Sequence, residues 1–326
     1  FKKISNKKKI YFENLNIKIK DGQNHVVDLK KVNFFNFGYK KNTIDGEIFN
    51  RNFKLKFIDD TIINFKIPDT GIVITLSILE STQARQIGNI KGNILKSNFK
   101  FNFFYEKNFL KINNFFFRDR NLSFDSNGSI NLKPFFKINL ESEIKNIKSG
   151  LFSNIDINKL LRYKNLIKKL NSQNILYYKS EKFGKNIIKD LSIKIETAYG
   201  RMKMSKNFYI SNTFIYCTNS INLLEEFPIF YFDCTVNSKD KKKLLKEFGI
   251  DYKSKKKETL DINSKGNINI FNNKINFDLI QINKDYKASN VDLKYYKNSF
   301  EKILFNENFL NIFRLAKIKN FIIDVS

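Results

Sequence analysis

Long stretches of the chain alternate apolar and polar residues with period two. Ile17-Lys18-Ile19-Lys20, Phe53-Lys54-Leu55-Lys56-Phe57, Phe99-Lys100-Phe101-Asn102-Phe103, Ile193-Lys194-Ile195 and Ile268-Asn269-Ile270 are the clearest runs. Successive side chains of a strand point to opposite faces. Each run therefore predicts a strand with one apolar, often aromatic face and one Lys/Asn face. That is the pattern of half-solvated antiparallel sheet; buried parallel strands read as continuous apolar runs instead. Turn signals separate the runs at Asp21-Gly22, Asp45-Gly46, Asp69-Thr70-Gly71, Ser126-Asn127-Gly128 and Asn272-Asn273. Roughly 16 strands are expected between residues 9 and 283.

Helical spacing is sparse. Residues 157–170 place Leu160, Tyr163, Ile167 and Leu170 on one stripe, with Lys164, Lys168 and Lys169 off it. Residues 239–248 predict a short basic helix carrying Leu244, Leu245 and Phe248 and stopped by Gly249. Residues 290–315 predict two helices, with Leu293, Tyr296, Phe300, Ile303 and Leu304 apolar. Lys253–Glu258, charged and without apolar residues, predicts a loop.

Composition excludes several classes. With 42% hydrophobic and 15% aromatic residues, the chain has too much to bury to be disordered. Two cysteines cannot make a disulfide-dense scaffold, and a single histidine, His25, removes nearly every His-based catalytic or zinc site. No Walker A loop, Gly-rich dinucleotide fingerprint or metal-ligand spacing occurs, so no cofactor is expected. Asp59-Asp60 and Glu225-Glu226 fall at turn positions. Adjacent strand residues face opposite ways, so neither pair makes an acid/base dyad by itself. No enzyme activity is expected.

The formal charge of +27 is discounted for the same kind of reason. Of the 59 basic residues 52 are Lys and 7 Arg, while Ala, Gly, Arg and Pro together make 26 of 326 residues. Lys, Asn, Ile and Phe have A/T-rich codons, so base composition accounts for most of the lysine excess. A reader of nucleic acid would use the bidentate fork of arginine. No specific nucleic-acid partner is expected, whereas attraction to an anionic membrane surface is compatible with the charge, including through the basic helix 239–248.

A loose internal repeat is present. Gly46-Glu47-Ile48 leads to Phe53, Gly92-Asn93-Ile94 to Phe99, and Gly266-Asn267-Ile268 to Ile275. A longer unit runs from Phe109 to Leu140: an alternating strand, a second strand, Gly128-Ser129-Ile130-Asn131-Leu132, then Pro134 before the next strand. Phe208–Val236 repeats that order around Pro228, with Asn219-Ser220-Ile221 where the first copy has Gly128-Ser129-Ile130. On these residues, and diffusely over about 26–283, the chain resembles the AsmA-like superfamily of bacterial envelope proteins.

That resemblance implies a mainly β fold: an elongated, twisted antiparallel sheet curled into a groove, with small helical inserts and a helical C-terminal end. It divides the chain into groove repeats over 1–150, a helical insert over 151–172, a second groove segment over 173–285 and a C-terminal helical region over 286–326. It also implies a periplasmic protein that binds or moves phospholipid or another acyl-chain lipid in outer-membrane biogenesis. Such a protein is anchored to the inner membrane by an N-terminal segment. The chain begins at Phe1, which is expected of a processed or cropped product, and holds no apolar run long enough for a spanning helix.

The apolar face must be buried on something. In a groove, Phe53, Leu55, Phe57, Phe99, Phe101, Phe103, Phe115, Phe117, Phe230 and Phe232 line the acyl path. The alternative is a non-catalytic structural or interaction β-sandwich whose second layer covers the same residues. Cys217 and Cys234 lie symmetrically about Glu225-Glu226. In one symmetric hairpin they would oppose each other within disulfide range; otherwise they are two reduced, buried cysteines.

The charge reading is checked by filter binding. Duplex DNA should bind weakly, without sequence preference, and with a steep loss on adding salt. Tight, sequence-selective binding at about 0.15 M salt would show that the lysines had been wrongly discounted.

Overall fold

A computed structural model describes residues 10–21, 24–36, 42–94, 96–133, 136–147, 171–179, 188–253, 257–272, 274–304 and 315–325. Nineteen strands occur in them, all belonging to one mixed sheet that does not close into a barrel. The chain divides into two compact units, Phe1–Ile130 and Asn131–Ser326.

The first unit is an antiparallel meander. Its strands are β1 (Ile10–Asp21), β2 (Asn24–Asn36), β3 (Asn42–Ile48), β4 (Arg51–Phe57), β5 (Ile62–Ile67), β6 (Ile72–Ser81), β7 (Arg85–Ile94), β8 (Ser97–Glu106), β9 (Phe109–Arg118) and β10 (Leu122–Asn131). Each pairs with the next. Tight two-residue turns with both residues at positive φ close β3 to β4, through Phe49-Asn50, and β8 to β9, through Lys107-Asn108. Those angles match the right-handed twist of the strands they join. Neither turn contains glycine.

Two expected turns are strand interior instead. Asp45-Gly46 lies within β3 and Ser126-Asn127-Gly128 within β10. Gly46 is needed for space, because it pairs with Phe53 across the β3–β4 ladder and a Cβ there would stand 3.1 Å from the Phe53 ring. The same arrangement recurs at Gly92 under Phe99 and at Gly88 under Phe103. A Cβ on Gly88 would stand 2.2 Å from the Ser77 carbonyl oxygen and 2.8 Å from the Phe103 ring. The Gly-to-Phe repeat in the sequence is therefore a packing device, in which a ring covers the bare backbone of the neighbouring strand.

Asn127 is held in β10 by another recurrent device. Asn14, Lys31 and Asn114 adopt left-handed backbone at bulges. Each donates its N–H to an asparagine Oδ1 of the adjacent strand: Asn14 to Asn33 at 2.9 Å, Lys31 to Asn16 at 3.3 Å and Asn114 to Asn127 at 2.8 Å. These bonds offset part of the cost of left-handed geometry at non-glycine residues. Bulges bend the strand that carries them and raise its twist.

The second unit contains β11 (Lys137–Ile147), β12 (Asn171–Tyr178), β13 (Ile188–Ala198), β14 (Arg201–Ile210), β15 (Thr213–Asn222), β16 (Ile229–Ser238), β17 (Leu260–Asn269), β18 (Lys274–Ile282) and β19 (Tyr286–Lys287). Eighteen strands thus lie between Ile10 and Ile282, against roughly sixteen expected. The sheet is also not wholly antiparallel, because β11 and β12 run parallel. Residues 148–170 intervene between them, and a parallel neighbour requires a crossover of that order rather than a tight turn. The expected helix 157–170 and most of the insert 151–172 fall outside the described residues, and β12 already begins at Asn171.

Three helices are described: α1 (Lys241–Glu247), α2 (Asn290–Leu304) and α3 (Leu315–Val325). Asp240 caps α1 by accepting the Lys243 N–H at 3.0 Å, Leu244 and Leu245 are buried, and Gly249 follows the helix at φ 68°. A reciprocal pair opens α2. The Ser289 hydroxyl accepts the Asp292 N–H, and the Asp292 carboxylate accepts the Ser289 N–H at 2.8 Å. The second of the two helices expected within 290–315 begins at Leu315. Tyr295 donates to the Asp324 carbonyl at 2.7 Å and ties α2 to α3.

Gly88→Ala should lower stability by about 1–3 kcal/mol in urea unfolding, because the methyl meets strand backbone. Gly46→Ala, where the nearest atoms stand at 3.0–3.1 Å, should cost clearly less. Equal costs would show that the rings yield freely.

Candidate functional site

The apolar side chains of the first unit are brought onto one face by the strand register. Ile44, Leu55, Phe65, Ile74, Gly92, Phe99 and Phe117 pair in turn across seven strands. A parallel row runs through Phe57, Ile63, Leu76, Ile90 and Phe101. Toward β10 the face becomes aromatic. Ring centroids stand 6.4 Å apart for Phe99–Phe101, 5.6 Å for Phe101–Phe115, 5.7 Å for Phe115–Phe124 and 5.1 Å for Phe117–Phe124. Phe65 and Phe124, which the sequence reading did not single out, belong to this face; the period-two pattern of their strands carries that signal.

The opposite face is mostly polar, with Val73, Ile87, Phe104 and Phe116 as its apolar members. Thr43, Lys56, Asn64, Thr75, Lys91 and Lys100 pair in turn. Lys54 opposes Lys66, and Lys91 opposes Lys100. Like charges in direct opposition are tolerable only in water, so this face is the solvated one. Lys100 also lies 5.7 Å over the Phe116 ring.

What covers the apolar face decides its role. Among the described residues of the first unit itself there is no α-helix and no second sheet. Of the eight candidate residues there, Phe53 and Phe103 are buried at 5% and 7% exposure, beneath which lie Gly46 and Gly88. Leu55, Phe57, Phe99, Phe101, Phe115 and Phe117 remain half-buried. The face is thus a single layer of apolar side chains that pack sideways on one another.

Phe230 and Phe232, the two candidates in the second unit, are placed differently. Both pack into a core with Ile268 and Ile275, which are 4% and 1% exposed. Phe300 and Ile303 of α2 and Ile318 and Phe321 of α3 close over that core. Glu301 of α2 accepts the Ile275 N–H at 3.0 Å and pairs with Lys274, so the helix also occupies a donor of β18. These two phenylalanines are half-buried against that core, beside a helical pair.

Cys217 and Cys234 face each other across β15 and β16 and form a disulfide, with Cα atoms 4.1 Å apart. The hairpin register is symmetric about Glu225-Glu226, which occupy its loop. Asp59 serves its turn: it accepts hydrogen bonds from the Thr61 N–H and hydroxyl, both at 2.7 Å, and from the Ile62 N–H at 2.8 Å. The Thr61 hydroxyl and backbone bonds hold its carboxyl below the usual carboxylate range. Among the described residues, no three His, Cys, Asp or Glu side chains gather where they could hold a metal ion. No described helix is long and apolar enough to cross a membrane.

A concavity of about 400 Å3 in the second unit lies on the polar side of β13–β16 and is lined by Lys194, Glu196, Lys203 and Asp233 among others. Its charges are already matched, Lys194 to Glu196 at 2.7 Å and Asp233 to Lys265 at 2.8 Å. The Lys194 ammonium holds the Glu196 carboxyl below its ordinary value.

The disulfide closes a segment of sequence separation 17, for which chain-entropy loss gives about 3 kcal/mol of stabilisation. Reduction, or Cys217→Ser with Cys234→Ser, should lower the unfolding free energy by that order. Thiol labelling of denatured, oxidised protein should find neither cysteine reactive; two labelled thiols would show the bridge absent.

Comparison with protein-family models, with curated proteins and with solved structures finds no match to this chain.

Proposed function

We propose that this is a non-catalytic lipid-binding protein whose apolar sheet face shields acyl chains from water, as in an AsmA-like lipid-transfer groove. The observation that carries the reading is the half-buried, aromatic face of β3–β10 with no second layer among the described residues of the first unit itself. Each methylene kept from water is worth about 0.8 kcal/mol, so a chain of about 15 methylenes needs roughly 12 kcal/mol of continuous apolar cover. One row that crosses seven strands and a second that crosses five, both without a charged residue, provide such cover. The solvated lysine face behind it leaves one side only for the lipid and suits work beside anionic membrane surfaces. The Cys217–Cys234 bridge favours an oxidising compartment, and the periplasm is the one this reading assigns.

The structural β-sandwich reading has local support only in the second unit, where α2 and α3 close over the core that Phe230 and Phe232 pack against. In the first unit it requires a second layer.

Two phenylalanines on one strand separate the readings. Phe103 is buried over Gly88, so Phe103→Asp should unfold the protein or lower its stability by more than about 3 kcal/mol. Phe101 is half-buried on the uncovered face, so Phe101→Asp should fold with a modest loss. Its co-purifying lipid, read by native mass spectrometry, should fall sharply because the acyl path then crosses a carboxylate. Lys100→Asp, on the solvated face, should change neither. A Phe101→Asp protein that unfolds, or one that folds and keeps its full lipid load, would overturn the groove reading.

A further inference from the structure

The apolar face of the second unit contains one charge. On β14 the residues that share this face are Met202, Met204, Lys206, Phe208 and Ile210. The register sets Lys206 directly opposite Ile193 of β13 and opposite Cys217 of β15, whose disulfide to Cys234 continues the row. Lys206 is half-buried, and no hydrogen bond or ion pair joins its ammonium to another described residue. Glu196 of β13 and Asp233 of β16 lie on the other face and pair there with Lys194 and Lys265, while Asp190 is exposed in the β13 bulge. Burial pushes the Lys206 ammonium below the usual lysine range, with no neighbouring charge contributing.

A second observation lies beside it. Asn219 of β15, two residues from Cys217 and on the same face, is 5% exposed, and its Oδ1 is buried without a hydrogen-bond partner. Lys206 and Asn219 are diagonal neighbours across the ladder, about 7 Å apart at the backbone. An unpaired ammonium and an unpaired amide oxygen on an otherwise apolar face are costly to the fold taken alone. Together they are what an amphiphile with an anionic, hydroxyl-bearing head would satisfy. The ammonium meets anionic oxygens, Asn219 accepts from a head hydroxyl, and Ile193, Ile195, Met204 and Phe208 meet the chains.

We infer that Lys206 and Asn219 form a headgroup anchor for lipid held on the second unit's own apolar face and select an anionic phosphodiester lipid over a neutral lipid with the same chains. The inference rests on the lipid-binding reading above and adds to it which lipids are kept and by which residues.

The test offers the purified chain dioleoylphosphatidylglycerol and dioleoylglycerol, which share their acyl chains, at equal concentration in micelles, and counts bound lipid by native mass spectrometry. The wild-type chain should favour the phosphodiester lipid about tenfold, the scale of one charge-assisted bond. Lys206→Met should lose the preference yet still capture dioleoylglycerol, and Lys206→Arg should restore it. Lys206→Met should also melt higher than wild type in the absence of lipid, since an unpaired ammonium is removed. A wild-type protein that takes both lipids equally, or a preference that survives in Lys206→Met, overturns the anchor and leaves the groove reading standing. A lower melting temperature for Lys206→Met would assign Lys206 a structural contact and likewise overturn the anchor. Displacement of bound phosphatidylglycerol by millimolar inorganic phosphate would identify a site for free anions, not for lipid. Capture of neither lipid by any variant would remove the groove reading and the anchor with it.

Discussion

A strand that alternates apolar residues with lysine and asparagine cannot bury both of its faces. Lys54 against Lys66 and Lys91 against Lys100 make this concrete, because opposed ammonium groups need water between and around them. Once one face is committed to solvent, the register gathers the apolar rows of β3–β9 on the other, while Val73, Ile87, Phe104 and Phe116 stay on the lysine face. The remaining freedom lies in what covers that face, and the two units use it differently. The first unit leaves its rings stacked edge to edge in a single layer. The second unit lays α2 and α3 over Ile268 and Ile275, with Phe230 and Phe232 packed against that core.

Both units use local devices to bury rings on the sheet, Gly266 lying under Phe232 in the second as Gly88 lies under Phe103 in the first. Glycines under phenylalanine rings let a side chain lie flat on its neighbour strand, which raises its burial without a second layer: Phe103 reaches 7% exposure over Gly88 although its own unit has no second layer among the described residues. Bulges at Asn14, Lys31 and Asn114 add twist, and each is stabilised by an asparagine one strand away. The abundance of asparagine thus has a structural use beside any compositional origin.

The period of two announces the strands, their faces and the mainly β class, because side-chain direction in a strand is a local property. Local punctuation is less informative. Asp45-Gly46 and Ser126-Asn127-Gly128 have the composition of turns yet sit inside strands, while Phe49-Asn50 and Lys107-Asn108 turn without glycine. In both cases the deciding partner lies on another strand: Phe53 for Gly46, and Asn114 for Asn127. Cys217 and Cys234 form the exception, since a symmetric hairpin makes their opposition a matter of counting along one stretch of chain.

The sequence by itself determined which side chains share a face, since that follows from the pleat of the backbone alone. Tertiary structure decided which of those side chains end up covered. Phe101 and Phe232 read alike in their strands, yet one stays in a single apolar layer and the other meets Phe277 and lies beside α2 and α3. The alternation of β14 already places Lys206 on the side of Met202, Met204, Phe208 and Ile210, and the strand pairing adds its neighbours, Ile193 and Cys217. The physical reason is the same in each case. Facing is set within one strand, whereas burial is set by register and packing between segments far apart in the chain.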